Sequence, residues 1–105
     1  MVGLVLVSHS RPLAEAVGNL VRRAIHGDLQ LTCSGGVGDD RAELGTDAIE
    51  IQEAIISVYS DDGVLVLMDM GSAILSAEMA KELLSPEQQV KVRLTSAPLV
   101  DNRFP

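Results

Sequence analysis

Val2-Gly3-Leu4-Val5-Leu6-Val7-Ser8-His9-Ser10 opens the chain with an apolar run that stops abruptly at Ser-His-Ser. A run with no polar alternation is the signature of a strand covered on both faces, as in a parallel sheet. It has neither a basic start nor a small-residue cleavage site, so it reads as a first strand over Val2–Val7 and not as a leader. Working outward, Val64-Leu65-Val66-Leu67-Met68 after the turn Asp61-Asp62-Gly63 is a second fully buried strand. Leu29, Leu31 and Cys33 alternate with Gln30 and Thr32, which predicts a half-exposed edge strand; Val90, Val92 and Leu94 alternate with Lys91 and Arg93 in another.

Helical spacing fills the gaps. After Ser10 and Pro12, Leu13, Val17, Leu20, Val21, Ala24 and Ile25 fall on one face, with Gly27 as the stop. His26, in the last turn before that glycine, reads as a residue suited to the helix dipole. Thr46 is expected to cap a second helix, with Asp47 in its first turn. Its apolar residues Ile49, Ile51, Ile55, Ile56, Val58 and Tyr59 spread over more than one face. The extra stripe, Ile49 with Ile56, suits cover by a neighbouring subunit. An Ala-rich third helix runs through Leu84 and is closed by Ser85-Pro86, while the Gly-rich, acidic stretch from Ser34 to Gly45 is expected to be a mobile loop.

The chain has 105 residues, enough for one domain, and we read residues 1–105 as a single unit. With 47% apolar but only 2% aromatic residues, the core must be aliphatic, which favours α/β. The formal charge of −7 argues against nucleic acid or an anionic membrane as partner. One cysteine, Cys33, permits no internal disulfide and fits a reducing cytoplasm. No apolar run reaches membrane-spanning length. No nucleotide fingerprint or metal-ligand cluster is present, so no cofactor is expected.

Alternating strands and helices imply a parallel sheet between two helical layers. With the half-exposed second strand at the edge, the order becomes 2-1-3-4, and winding reverses between the first and third strands. Ligands bind outside the carboxyl ends of strands at such a reversal, where Ser8-His9-Ser10 and Asp69-Met70-Gly71-Ser72 meet. A neutral imidazole is a good nucleophile toward phosphorus, and a carboxylate on one ring N–H places the lone pair on the other nitrogen. Asp69 is the acid placed to do this for His9. The hydroxyls of Ser10 or Ser72 and the starts of two helices, with Gly71 admitting close approach, suit a phosphoryl group.

Val7-Ser8-His9-Ser10, Gly45-Thr46-Asp47-Ala48, Met68-Asp69-Met70-Gly71-Ser72-Ala73, Ser76-Ala77-Glu78 and Ala97-Pro98-Leu99-Val100 together resemble one family. It comprises the phosphotransfer subunits of phosphoenolpyruvate-dependent dihydroxyacetone kinases, whose domain is like the mannose-type enzyme IIA of the bacterial sugar phosphotransferase system. The resemblance implies a mannose-type enzyme IIA-like three-layer fold. It implies that the phosphocarrier protein HPr phosphorylates His9, which then passes the group to ADP on the kinase's nucleotide-binding subunit. Asp69 would orient the imidazole, Gly71, Ser72 and Thr46 would line the phosphoryl site, and the protein would be a homodimer. Against the family pattern, the sequence ends at Pro105 without the further C-terminal helix.

Three alternatives stand beside this expectation. One is a carrier for a mannose-type sugar permease, sharing fold and phosphohistidine. Another is a receiver-like module phosphorylated on Asp69, although the acidic pair and lysine of receivers are missing. The last is a non-catalytic binding module using its acidic surface and the loop from Gly35 to Asp40.

Overall fold

The structure, a computed structural model, describes residues 2–25, 30–69 and 71–95, and of residues 71 and 72 the backbone alone. His26, Gly27, Leu29, Met70 and the Ala97–Val100 segment lie outside the described residues. The elements run β1 (Gly3–Ser8), α1 (Arg11–Ala24), β2 (Leu31–Gly35), a 3-10 turn (Asp39–Arg41), α2 (Ala48–Val58), β3 (Val64–Met68), α3 (Gly71–Glu82), α4 (Pro86–Gln89) and β4 (Val92–Thr95). The four strands form one all-parallel sheet in the order β2-β1-β3-β4, as the sequence predicts. Register places Val7 between Ser34 and Met68, so the ends of β1, β2 and β3 finish side by side.

Strand alternation sorts the core. Val5, Val7, Val64, Val66, Met68 and Val92 join Ile51, Ile55 and Val58 of α2 and Ala73, Ala77 and Ala80 of α3 in one apolar layer. Leu6, Leu31 and Cys33 point the other way, toward α1. There the sequence expectation needs correction. The helix buries Ala14 and Gly18, whereas Leu20 is 68% exposed and Ile25 is also exposed. A Cβ on Gly18 would lie 2.8 Å from Cys33 Sγ, so close approach to the sheet selects small residues where apolar periodicity favours large ones. Burial pushes the Cys33 thiol up from its ordinary value, only partly opposed by the charge of Arg22.

Other boundaries differ for identifiable reasons. Asp47, not Thr46, caps α2: its carboxylate accepts from the amides of Ile49 and Glu50 at 2.9 and 3.4 Å. Ser85-Pro86 does not simply end α3 but starts α4, because Ser85 and Gln88 form a reciprocal capping box. Val90 falls in the turn after it and is 82% exposed, so β4 begins at Val92. The stretch expected as an unstructured loop extends β2 through Ser34 and Gly35, pairs Val37 with Glu43, and includes the 3-10 turn. As the two-striped pattern of α2 predicts, Ile49 and Ile56 are exposed. Among the described residues, no helix is long and apolar enough to cross a membrane.

Candidate functional site

Parallel register carries the last residues of β1 and β3 to one edge of the sheet, and Ser8, His9 and Asp69 meet there. Asp69 Oδ1 lies 3.1 Å from His9 Nδ1. The other oxygen, Oδ2, accepts from the Ser8 hydroxyl at 2.7 Å and from the His9 amide at 3.2 Å. Both carboxylate oxygens thus act as acceptors, so the hydrogen on the imidazole belongs on Nδ1 and the ring lone pair on Nε2. The side chains of His9 and Asp69 are 15% and 10% exposed, enough shielding to strengthen the pairing while leaving the ring edge within reach of solvent.

Ser8 is the residue the sequence undervalued. It is fully buried, and its hydroxyl donates to Asp69 while accepting from the amide of Ser10 at 3.1 Å. One side chain therefore fixes the acid and the backbone on either side of the histidine. A polar residue ending an apolar strand beside a histidine was the available signal.

Ser10 caps α1, its hydroxyl oxygen accepting from the Leu13 amide at 3.3 Å. Pro12 has no amide hydrogen, and the amides of Ser10 and Ala14 bond to Ser8 and to the Ser10 carbonyl. The start of α1, expected to offer amides to an anion, has thus spent much of that capacity on its own cap. Gly71 opens α3 immediately after the Asp69 segment. Thr46 donates to or accepts from Ser76 of α3 at 2.6 Å, which ties the start of α2 to α3. The neighbouring Gly45 amide donates to the His9 carbonyl at 2.8 Å, bringing this segment to the histidine.

A second cluster adjoins the first. Glu50 Oε1 accepts from the Ser34 hydroxyl at 2.7 Å and the Gly35 amide at 3.2 Å. Glu50 Oε2 pairs with Arg11 at 2.6 Å and Arg41 at 3.2 Å. Arg11 also donates to the Gly35 carbonyl at 3.0 Å, and Arg41 to Asp47 at 3.1 Å. Burial pushes the Asp47 carboxyl up, but hydrogen bonds from Arg41 and the Ile49 and Glu50 amides, with the Arg41 charge, outweigh it and hold the group below the usual carboxylate range. Long-range pairing of this kind leaves no periodic trace in sequence.

Elsewhere, a cleft of about 770 Å³ lined by Val2, Asp61, Lys91, Arg93 and Leu94 opens at the amino ends of β3 and β4, away from His9. Among the described residues lining it, no nucleophile is paired with a base. Among the described residues no group of three or more His, Cys, Asp or Glu stands ready to hold a metal ion.

A family model described as the PTS system fructose IIA component, EIIA-man, matches residues 3–104. The phosphoryl donor subunit DhaM of the PEP-dependent dihydroxyacetone kinase of Escherichia coli (strain K12) is 53% identical over 102 residues, 96% of this chain but 22% of that protein. The corresponding subunit of kinase 2 of Listeria innocua serovar 6a is 38% identical over 104 residues, 99% of this chain and 82% of that one. A crystal structure of EF1359, a protein of unknown function, matches with a TM-score of 0.80 at 33% identity, covering 95% of this chain and 76% of the other.

Proposed function

The chain belongs to the EIIA-man family of PTS system fructose IIA components, and from that premise we propose that it is a phosphohistidine carrier charged on Nε2 of His9. The observation that carries this reading is the 3.1 Å contact between Asp69 and His9 Nδ1, which directs the lone pair to the opposite nitrogen. That lone pair attacks the phosphorus of a donor phosphohistidine; the donor N–P bond breaks and its electrons return to the donor imidazole. Nδ1 keeps its proton throughout. His9 therefore becomes an imidazolium while it carries the phosphoryl group, and Asp69 stabilises that charge. Discharge reverses the step, with a phosphate oxygen of the acceptor attacking phosphorus.

The phosphoryl oxygens would meet the O–H of Ser10, Thr46 beside Gly45, and the start of α3 at Gly71 and Ser72, which supplies positioning and a helix dipole. The donor in this reading is HPr, and the acceptor is ADP on the nucleotide-binding subunit of a dihydroxyacetone kinase; the names of the Escherichia and Listeria relatives support the coarser role, that of a phosphoryl donor subunit in such a kinase. In this reading the protein works in the cytoplasm, and residues 1–105 act as one phosphotransfer domain. It pairs as a homodimer through α2 and α3, where Ile49, Ile56, Leu75 and Met79 are exposed, with exposed Leu83 just past the end of α3. The family description itself favours a second reading, in which the acceptor is a sugar permease of the phosphotransferase system.

The decisive experiment is incubation with phosphoenolpyruvate, enzyme I and HPr. An acid-labile phosphate is expected on the wild type and absent from His9→Ala; label that persists in the variant overturns the reading. Discharge on adding the kinase subunit with ADP separates the two acceptors.

A further inference from the structure

Residues 36–45 cross the carboxyl edge of the sheet in a conformation that local preference does not favour. Asp40 and Arg41 are consecutive non-glycine residues at φ 57° and 56°, in the left-handed region. Such a conformation is unfavourable for a residue with a side chain and persists only where its surroundings overdetermine it. The surroundings are specific. The Arg41 guanidinium bridges Glu50 at 3.2 Å and Asp47 at 3.1 Å, and its carbonyl lies where Gly36 alone can pass, since a Cβ there would come within 2.1 Å. Glu50 in turn holds the end of β2 through Ser34 and Gly35 and the first residue of α1 through Arg11. The segment's other end reaches the histidine: the Gly36 amide donates to the Gly45 carbonyl at 2.9 Å, and the Gly45 amide donates to the carbonyl of His9 at 2.8 Å.

We infer that Arg41 and Glu50 are positioning residues for the reaction at His9, holding a strained loop so that Gly45 fixes the histidine backbone and Thr46 stands beside it. This rests on the phosphohistidine reading above. Neither residue is placed against the imidazole; each acts through the loop. Asp69 aligns the ring from the β3 side, while the Gly45 bond restrains the same residue's backbone from the α2 side. Loss of the Arg41 fork would let the left-handed pair relax and lengthen the Gly45–His9 bond. Phosphoryl transfer, which depends on in-line placement, would then slow without loss of donor binding.

The test compares the full chain with Arg41→Ala, Arg41→Lys and Glu50→Gln, using phosphorylated HPr as donor and amide hydrogen exchange as a second readout. Arg41→Ala should lower kcat about tenfold with KM little changed, and should speed exchange at Gly45 while Val5 and Val66 in the core keep their protection. Arg41→Lys, which retains the charge but not the two-way fork, should fall between it and wild type. Glu50→Gln should match or exceed Arg41→Ala. Unchanged kcat together with unchanged Gly45 exchange overturns the inference, and so does a loss confined to KM. Should Arg41→Ala also strip protection from Val5 and Val66, Arg41→Lys decides by the same two readouts. If the wild type accepts no phosphate, the phosphohistidine reading fails by itself, and Gly45 exchange still judges whether Arg41 holds the loop.

Discussion

Asp69 and Glu50 are both partly buried carboxylates at the same edge of the sheet, yet they gather their partners differently. Among the described residues, Asp69 takes its hydrogen bonds from two adjacent residues, Ser8 and His9, delivered by the register of β1 against β3. Glu50 reaches into three separate segments, to Arg11, to Ser34 and Gly35, and to Arg41. The first arrangement is set by backbone pairing and leaves little freedom around the imidazole. The second depends on long side chains spanning a gap and secures connections between elements. Under the proposed function, the contrast separates a group that acts on the reacting imidazole from one that organises its support.

Asp69→Asn should break the comparison most severely. The amide removes the charge that stabilises an imidazolium and can present an N–H to Nδ1, so phosphorylation by HPr should fall by roughly two orders of magnitude or more, with the far-ultraviolet spectrum unchanged. A fall of less than about fivefold would detach Asp69 from the chemistry.

The two buried serines sharpen the contrast, since each donates to its carboxylate at 2.7 Å. Ser8→Ala and Ser34→Ala should each cost about 1–3 kcal/mol in urea unfolding. Their rates should part: about tenfold slower labelling for Ser8→Ala, under threefold for Ser34→Ala. Equal losses in labelling would mean that the two clusters act as one.

The smallest effect concerns acid stability. Because the Asp47 carboxyl is held below its unfolded value, its ionised form contributes stability in full above the unfolded value, and this contribution is lost as pH falls through the lower, folded value. Asp47→Asn keeps a capping oxygen but has nothing to titrate. Thermal melts should show wild type above the variant at neutral pH, with the gap closing in the acid range; a constant gap from pH 7 to pH 2 would contradict the assignment.

Much of the fold can be read directly from residue order. Val64 to Met68 forms the expected strand, and the half-exposed pattern around Leu31 correctly places β2 at the edge. The helix facing β1 and β2 was harder, because Gly18 and Ala14 are selected by distance to Cys33 and Leu31, and periodicity rewards bulk. His9 and Asp69 stand out in the sequence because both follow apolar runs that can only be strands. Ser8 is marked only as a polar residue ending an apolar strand, and its role appears when the hydroxyl is seen between Asp69 and the Ser10 amide. Arg11, Arg41 and Glu50 gave no sign at all, being ordinary surface charges until the chain folds.

By itself the sequence determined the parallel sheet, its strand order and the convergence of residues 9 and 69, because alternation and turn chemistry are local properties that register then propagates. Only the tertiary structure decided which nitrogen of His9 meets the carboxylate, which serine lies beneath it, and that Glu50 ties Arg41 to the end of β2. Those choices depend on distances of a few ångströms between residues far apart in the chain, and no pattern along one dimension encodes them.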